Sequence, residues 1–370
     1  MFRRRWQVAG IAVAACSALL AVPARAGAAE PGYQLHDSHF HLTNYVQQGT
    51  DIQRFLEIMG DRVGRVALFG IPLQQMWSWE NSQDFAPTYY LQSDAPLYYY
   101  SFTDASIASA YLSLSEADRL RFDPMITGFN PADMYAADHI KRVLRTFPGV
   151  FSGIGEFTIH KEFVSAKLAG GEPSLANPAL DRIFDFAGES GLLVLLHNDI
   201  DMPFAGEDAI PIYLQQMRDL LLRHPETTVI WAHMGLGRVV HPVQSGASAG
   251  TAERTRNQSG VIEKILIEPR LRHLYFDISW NEVAKYLVAT PETTQRAADV
   301  INRYPDRFLF GTDEVAPNDQ ATYLRVFRQY EPLWQLLSPE ARELVLKGNY
   351  ERLFDAARRK VRAWEAADRK

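Results

Sequence analysis

Residues 34–41, Gln34-Leu35-His36-Asp37-Ser38-His39-Phe40-His41, decide how this chain is read. A short apolar approach ends in two histidines spaced i, i+2. On a strand such a pair shares one face. His39 and His41 can therefore converge on one divalent ion, for which neutral imidazole is a standard ligand. An H-x-H pair alone is a common chance pattern, most often two surface histidines. Its weight comes from what recurs further along.

Short, nearly continuous apolar runs occupy residues 33–39, 65–71, 122–127, 151–157, 192–197, 229–233, 273–278 and 307–311. Runs of this kind are expected of strands buried on both faces of a parallel sheet. Amphipathic stretches at 52–59, 132–146, 178–188, 213–223, 261–267 and 293–304 separate them. Strands alternating with helices in this number predict an α/β fold, a single-domain (β/α)8 TIM barrel. A doubly wound open sheet is the alternative, disfavoured because no Gly-rich phosphate loop follows the first strand. A long insert, residues 72–121, follows the second strand and carries Trp77, Trp79, Phe85, Tyr89, Tyr90 and Tyr98-Tyr99-Tyr100. These aromatics either wall a pocket at the barrel top or pack the insert onto the barrel. Residues 245–260 read as a Gly/Ser/Ala/Thr-rich loop, and 339–370 as two helices parted at Gly348-Asn349.

Four later runs end in a further ligand type. Glu156 closes Phe151-Ser152-Gly153-Ile154-Gly155, His197 closes the fifth run, His233 the sixth, and Asp313 follows the eighth. In a barrel these tips surround one axial pocket. Any one of them alone fits a hydrogen-bonded structural group, but the ordered set points to a shared site. Asp277, at the tip of the seventh run, either orients a histidine or caps the following turn. His36, His160 and His241 fall near the proposed pocket, either touching substrate or standing as exposed or hydrogen-bonded loop histidines, and Lys161 and Asp199 follow key strands as candidate contacts to a substrate carboxylate or to metal-bound water. Gly246-Ala247-Ser248-Ala249-Gly250 matches the nucleophile elbow, but it lacks the strand before and helix after that the elbow needs.

The chain begins with Arg3-Arg4-Arg5, an uncharged apolar run at 6–22, and small-residue cleavage sites near Ala26 and Ala28. Residues 1–28 therefore read as a secretory signal peptide, and 29–370 as the single barrel domain. The implied location is exported, periplasmic or secreted. An uncleaved anchor helix is the rival reading, though the run is short for a membrane span. Val13-Ala14-Ala15-Cys16 resembles a lipoprotein box, which would put a lipid anchor on Cys16, and the arginines faintly resemble a twin-arginine signal. Cys16 is the only cysteine, so a mature chain has no disulfide, Cys-ligated zinc or cysteine nucleophile. Loss of Arg3, Arg4, Arg5 and Arg25 takes the formal net charge from −6 to −10. An acidic protein without a basic run is a poor partner for nucleic acid or an anionic membrane, which leaves a small-molecule substrate and leaves a homo-oligomer open.

His39-Phe40-His41 followed in order by Glu156, His197, His233 and Asp313 resembles the amidohydrolase superfamily of metal-dependent (β/α)8-barrel enzymes. The resemblance is closest to its amidohydrolase-related branch, through Trp231-Ala232-His233-Met234-Gly235, Leu309-Phe310-Gly311-Thr312-Asp313 and Lys347-Gly348-Asn349-Tyr350-Glu351-Arg352-Leu353-Phe354. It spans His36 to Phe354. The resemblance implies that His39, His41 and Asp313 hold a first divalent metal, with zinc the expected ion. It puts His197 and His233 where a second metal sits, with Glu156 in the bridging place. In single-metal members the fifth-strand histidine joins the only ion, and the sixth-strand histidine contacts water or substrate. One or two ions are thus open.

The resemblance further implies hydrolysis of a C–N or C–O bond, in an amide, lactone or ester, by metal-activated water. Asp313 and His233 are the expected catalytic pair: Asp313 takes the proton and His233, where it is not a ligand, donates to the developing oxyanion. A metal-dependent non-oxidative decarboxylase of an aromatic or unsaturated carboxylic acid is the alternative reaction, needing a single ion. A binding protein on a retired barrel is the non-enzymatic alternative, and it predicts missing ligands.

Overall fold

The computed structural model describes residues 32–201, 211–238 and 258–369. Its central sheet carries parallel strands β1 (Leu35–His41), β2 (Val63–Phe69), β3 (Phe122–Ile126), β4 (Gly153–Thr158), β5 (Leu193–His197), β6 (Val229–Trp231), β7 (Leu274–Asp277) and β8 (Phe308–Leu309) in sequence order. β8 pairs with β7, and its continuation Glu314–Val315 pairs with β1 in the register Phe40↔Glu314 and His41↔Val315. Ser38 N–H donates to Phe310 O at 3.1 Å and Asp313 N–H to His39 O at 2.8 Å, so the eighth strand joins the seventh to the first and closes the barrel.

Alternation along each strand separates two cores. Leu193 and Leu195 face the barrel axis with Ala67, Phe69, Met125, Ile230 and Leu309. Val194 and Leu196 face the helices outside. The C-terminal helix seals the floor of the barrel with Tyr350, Leu353, Phe354 and Ala357. Filling the lower barrel with apolar side chains leaves only its upper end for polar groups, and the strands' C-terminal tips lie there.

The outer helices begin and end on local signals. Asp51 caps Ile52–Met59 by accepting from the amides of Gln53 and Arg54. Asn177 caps Pro178–Ser190, which opens on proline and stops at Gly191 with φ 78°. Thr290 caps Pro291–Arg303 in the same manner.

The structure departs from the sequence expectation in three places. Helix Pro339–Glu343 runs through a π-turn, Leu344–Gly348, into Asn349–Asp368 without a break. Gly348 has helical φ −60° and ψ −37°, and the Asn349 amide is committed to Pro305 O at 2.7 Å and Phe308 O at 2.8 Å beneath β8. The insert is also shorter than expected. Its second half forms helix Phe102–Ser113, which packs on β2 and β3 as a barrel helix, leaving residues 72–101 as the true excursion around hairpin Leu73–Gln75/Leu97–Tyr99. Finally, a helix already spans Gln258–Leu266 where the loop was expected to last to 260. The signal-peptide residues 1–28 with Cys16, His241 and the Gly246–Gly250 motif lie outside the described residues.

Candidate active site

Three kinds of local structure bring the polar tips together. His197 and Asp277 arrive by simple alternation, in phase with Leu195 and Tyr275, while His39 and His41 flank outward-facing Phe40 past the register shifts that β1 carries between Leu35 and Phe40. Glu156 does not follow alternation. Ile154 packs outward, so strict alternation would turn Glu156 outward as well. A register irregularity between Ile154 and Phe157, with Gly155 at φ 123°, reverses the phase and turns Glu156 inward. A Cβ on Gly155 would stand 2.1 Å from Leu195 O, so only glycine fits. His233 and Asp313 come in by a third route, on left-handed backbone at φ 58° and φ 52° just past β6 and β8. For that reason β6 ends at Trp231 rather than running on to residue 233.

The six expected ligands meet in two groups that share Glu156, five of them buried and Asp313 partly so. His39 Nε2 and His41 Nε2 each lie 3.2 Å from Asp313 Oδ1, and 3.6 Å and 3.3 Å from Glu156 Oε2. Ligand atoms arranged tetrahedrally on a zinc-sized ion, at its usual bond lengths, are separated by about 3.3–3.6 Å. The other Glu156 oxygen, Oε1, lies 2.6 Å from His197 Nδ1 and 3.5 Å from His233 Nε2. The first of these is a hydrogen-bond length, and the second is a ligand-pair length. His39 Nε2 and His233 Nε2 are buried without a hydrogen-bond partner among the described residues. Buried polar atoms are rarely left so. The donor set thus fits a divalent ion on independent counts: chemistry, spacing and orphaned nitrogens.

A second layer holds these side chains. Asp277 Oδ2 accepts from His39 Nδ1 at 2.9 Å, which orients the ring and leaves Nε2 free for the centre. Ser279 Oγ lies 2.8 Å from His233 Nδ1, 3.2 Å from His39 Nδ1 and 2.5 Å from Asp277 Oδ1. Asp199 stands 3.1 Å from His197 Nε2 and accepts from the Glu162 amide at 3.0 Å. Beneath, Asp37 takes bonds from the Thr312 amide and hydroxyl, the His39 amide and the Tyr323 hydroxyl, tying β1 to the segment that carries Asp313.

The electrostatics follow from this crowding. Burial pushes the carboxyls of Glu156 and Asp313 up, yet the charges and hydrogen bonds around them win. Lys161, His197 and His39 hold Glu156 well below the usual range, and His39 with His41 do the same for Asp313. Burial lowers the His39 imidazole, but Asp313, Asp277 and Glu156 outweigh it and raise it well above its ordinary value. His197 and His233 are lowered, mainly by burial. Both carboxylates are therefore ionised and two histidines neutral, the forms that ligate metal.

Above the cluster opens a cavity of about 350 Å³. Tyr45, Tyr89, Tyr90 and Trp280 wall it, with Lys161, Arg238 and Arg325 among the charged lining. Of the aromatic insert, Tyr89 and Tyr90 reach the cavity, whereas Trp77, Trp79 and Phe85 lie on the surface. His36 sits at the opposite end of β1, bonded to Glu351 and the Arg65 amide, away from the site. His160 stacks on Tyr213 at 3.5 Å beside the site, outside the cavity lining. Sequence reasoning missed Ser279, Asp37, Glu162 and Arg238. The Asp277-x-Ser279 pair just past a strand tip was the available signal for the first.

The family model described as amidohydrolase matches residues 36–356. No curated protein sequence matches the chain. Among solved structures, an amidohydrolase from Burkholderia multivorans with bound zinc is similar at 14% identity and TM-score 0.51, covering 87% of this chain and 99% of that one. Dihydroorotase from Campylobacter jejuni aligns at 12% identity and TM-score 0.49, over 87% of this chain and 83% of its own. An amidohydrolase 2 from Bifidobacterium longum subsp. infantis aligns at 12% identity and TM-score 0.48, over 88% and 99%.

Proposed function

The chain belongs to the amidohydrolase family, and from that premise we propose that it hydrolyses a C–N or C–O bond of a small molecule, an amide, lactone or ester, at a two-ion centre. The observation that carries this reading is the Glu156 carboxylate, with Oε2 facing His39, His41 and Asp313 and Oε1 facing His197 and His233. One carboxylate addressing two donor sets is what a bridging ligand requires. His39, His41 and Asp313 would hold the first ion, His197 and His233 the second, with zinc the favoured metal on its nitrogen and carboxylate donors. A bound divalent ion supplies an activated water near pH 7 and polarises an oxygen of the scissile group.

The chain's own residues do the rest. Asp313 Oδ1, between both strand-one imidazoles, accepts the proton of the attacking water and passes it to the leaving group. His233 is held by Ser279 with Nε2 toward the centre, as a ligand or as the donor facing the developing oxyanion. Tyr45, Tyr90 and Trp280 exclude bulk water above the ligands. The N-terminal signal supports export to the periplasm or beyond, and among the described residues no helix is long and apolar enough to cross a membrane.

A single-ion non-oxidative decarboxylase is the second reading. It is favoured by His197, whose two nitrogens already meet Glu156 at 2.6 Å and Asp199 at 3.1 Å. Elemental mass spectrometry on protein purified without chelator, wild type beside Glu156→Ala, separates the two. Two equivalents falling to one support the hydrolase, to be followed by a screen of lactones, esters and amides. One equivalent, unchanged in the variant, moves the assignment to the decarboxylase, and no metal taken up at all sinks both.

A further inference from the structure

The cations lining the cavity are not equivalent. Arg238 donates to Glu282 at 3.1 Å and to the Tyr89 and Tyr90 hydroxyls at 2.6 Å and 2.9 Å. Arg325 donates to Glu314 at 3.2 Å. Both arginines are thus bonded to the wall, although Arg238 Nε has no hydrogen-bond partner among the described residues and lies 3.5 Å from Glu162 Oε1. Lys161 is different. Its side chain is 8% exposed and its ammonium donates no hydrogen bond among the described residues. The nearest anion, Glu156 Oε1, is 4.0 Å away, beyond hydrogen-bond reach. An ammonium carries three donors and is costly to bury with none of them used.

The surroundings fix where that cation points. The rings of Tyr90 and Trp280 flank Nζ at 5.8 Å and 5.6 Å, shielding it from bulk solvent and holding it by cation–π attraction. Its remaining open side is the cavity, beside the carboxylate that addresses both donor sets. A counter-charge to Glu156 would need no more than proximity, and Glu156 Oε1 already accepts from His197. That role leaves the three donors empty. A carboxylate entering the cavity would fill them with charge-assisted bonds.

Resting on the hydrolase reading above, we propose that Lys161 anchors a substrate carboxylate, so that the enzyme acts on small anionic acids whose carboxylate lies within a few atoms of the bond being cleaved. The 4.0 Å gap between Nζ and Glu156 Oε1 sets that closeness, because the reacting group must share the same corner of the cavity. Tyr45, Tyr90 and Trp280 then line the remainder for a compact, flat or apolar body.

Isothermal titration of the zinc-loaded full chain with two matched probes tests this. Succinomonohydroxamate and butyrohydroxamate share a metal-binding head and differ by a carboxylate in place of a methyl. The wild type is expected to bind the carboxylate probe about tenfold or more tightly than its partner, as a charge-assisted bond predicts. Lys161→Met is expected to erase the preference and Lys161→Arg to keep part of it, at unchanged zinc content. Equal binding of both probes by the wild type, with butyrohydroxamate binding intact, overturns the Lys161 proposal and leaves the metal reading standing. A preference that survives in Lys161→Met overturns Lys161 as the anchor. Failure of zinc-loaded protein to bind either hydroxamate overturns this proposal together with the accessible metal centre.

Discussion

Asp277 Oδ2 stands 2.9 Å from His39 Nδ1, and the other oxygen of the same carboxylate accepts from the His233 amide at 2.7 Å. One buried side chain therefore sets the orientation of a β1 imidazole and the position of the left-handed turn after β6. Carboxylate partners of metal-binding histidines raise ligand basicity and fix the tautomer. Asp277→Asn keeps the volume but loses the charge. It is expected to lower zinc affinity by about 10–100-fold with the fold intact. Competition against a chromophoric chelator reads this directly, and unchanged affinity would remove Asp277 from the site's machinery.

Gly155 is the hinge of the inward turn at Glu156. With φ 123° and a would-be Cβ 2.1 Å from Leu195 O, alanine meets both strain and a backbone clash. Gly155→Ala is expected to cost about 2 kcal/mol or more of stability and to reduce bound metal. A melting temperature and metal content equal to wild type would show that Glu156 reaches the centre without this glycine.

The same residue marks where the sequence was legible and where it was not. His39-x-His41 and the strand tips at 197, 277 and 313 could be read because an apolar run ending in a ligand type signals direction by itself. Glu156 was read as a tip, and it faces the other ligands from within Gly153–Thr158, although alternation from Ile154 argued against it; the phase change at Gly155 has no signature in composition. His36 was misplaced for a simple metrical reason. It lies five positions before His41, about 16 Å along the strand at the usual rise, which carries it to the barrel floor. Asp37 and Arg238 were unreadable because their roles depend on which strands become neighbours on closure, whereas Ser279 had a signal in its spacing from Asp277. The aromatic insert was ambiguous for the same reason, and only Tyr89 and Tyr90 of it turn to the cavity.

Asp104, on the helix after β2, is fully buried and accepts from the amides of Thr127 at 2.8 Å and Gly128 at 3.0 Å. Burial pushes its carboxyl up from 3.8 to about 7. Between those values the native state holds a proton that the unfolded state has released. Stability is therefore lost as pH rises through that window. From pH 5 to pH 8 this group alone is expected to remove about 2 kcal/mol. Chemical denaturation across that range should show a flatter profile for Asp104→Asn than for wild type, and parallel profiles would sink the assignment.

Chelation should weaken the fold as well as the chemistry. Among the described residues, the barrel's upper end holds His39 Nε2 and His233 Nε2 without hydrogen-bond partners, beside the carboxylates of Glu156 and Asp313. An ion bound only by the native state stabilises it by mass action, about 2.7 kcal/mol at a hundredfold excess over its dissociation constant. Removing zinc from the purified chain is therefore expected to lower the melting temperature by several degrees, and adding it back should restore the original value in proportion to concentration. His41→Ala, which deletes one of the closely spaced donors, should blunt that response without abolishing cooperative unfolding. A melting temperature indifferent to chelator and to added zinc would mean that the cluster is held by its own hydrogen bonds and ion pairs, and the metal assignment would fall with it.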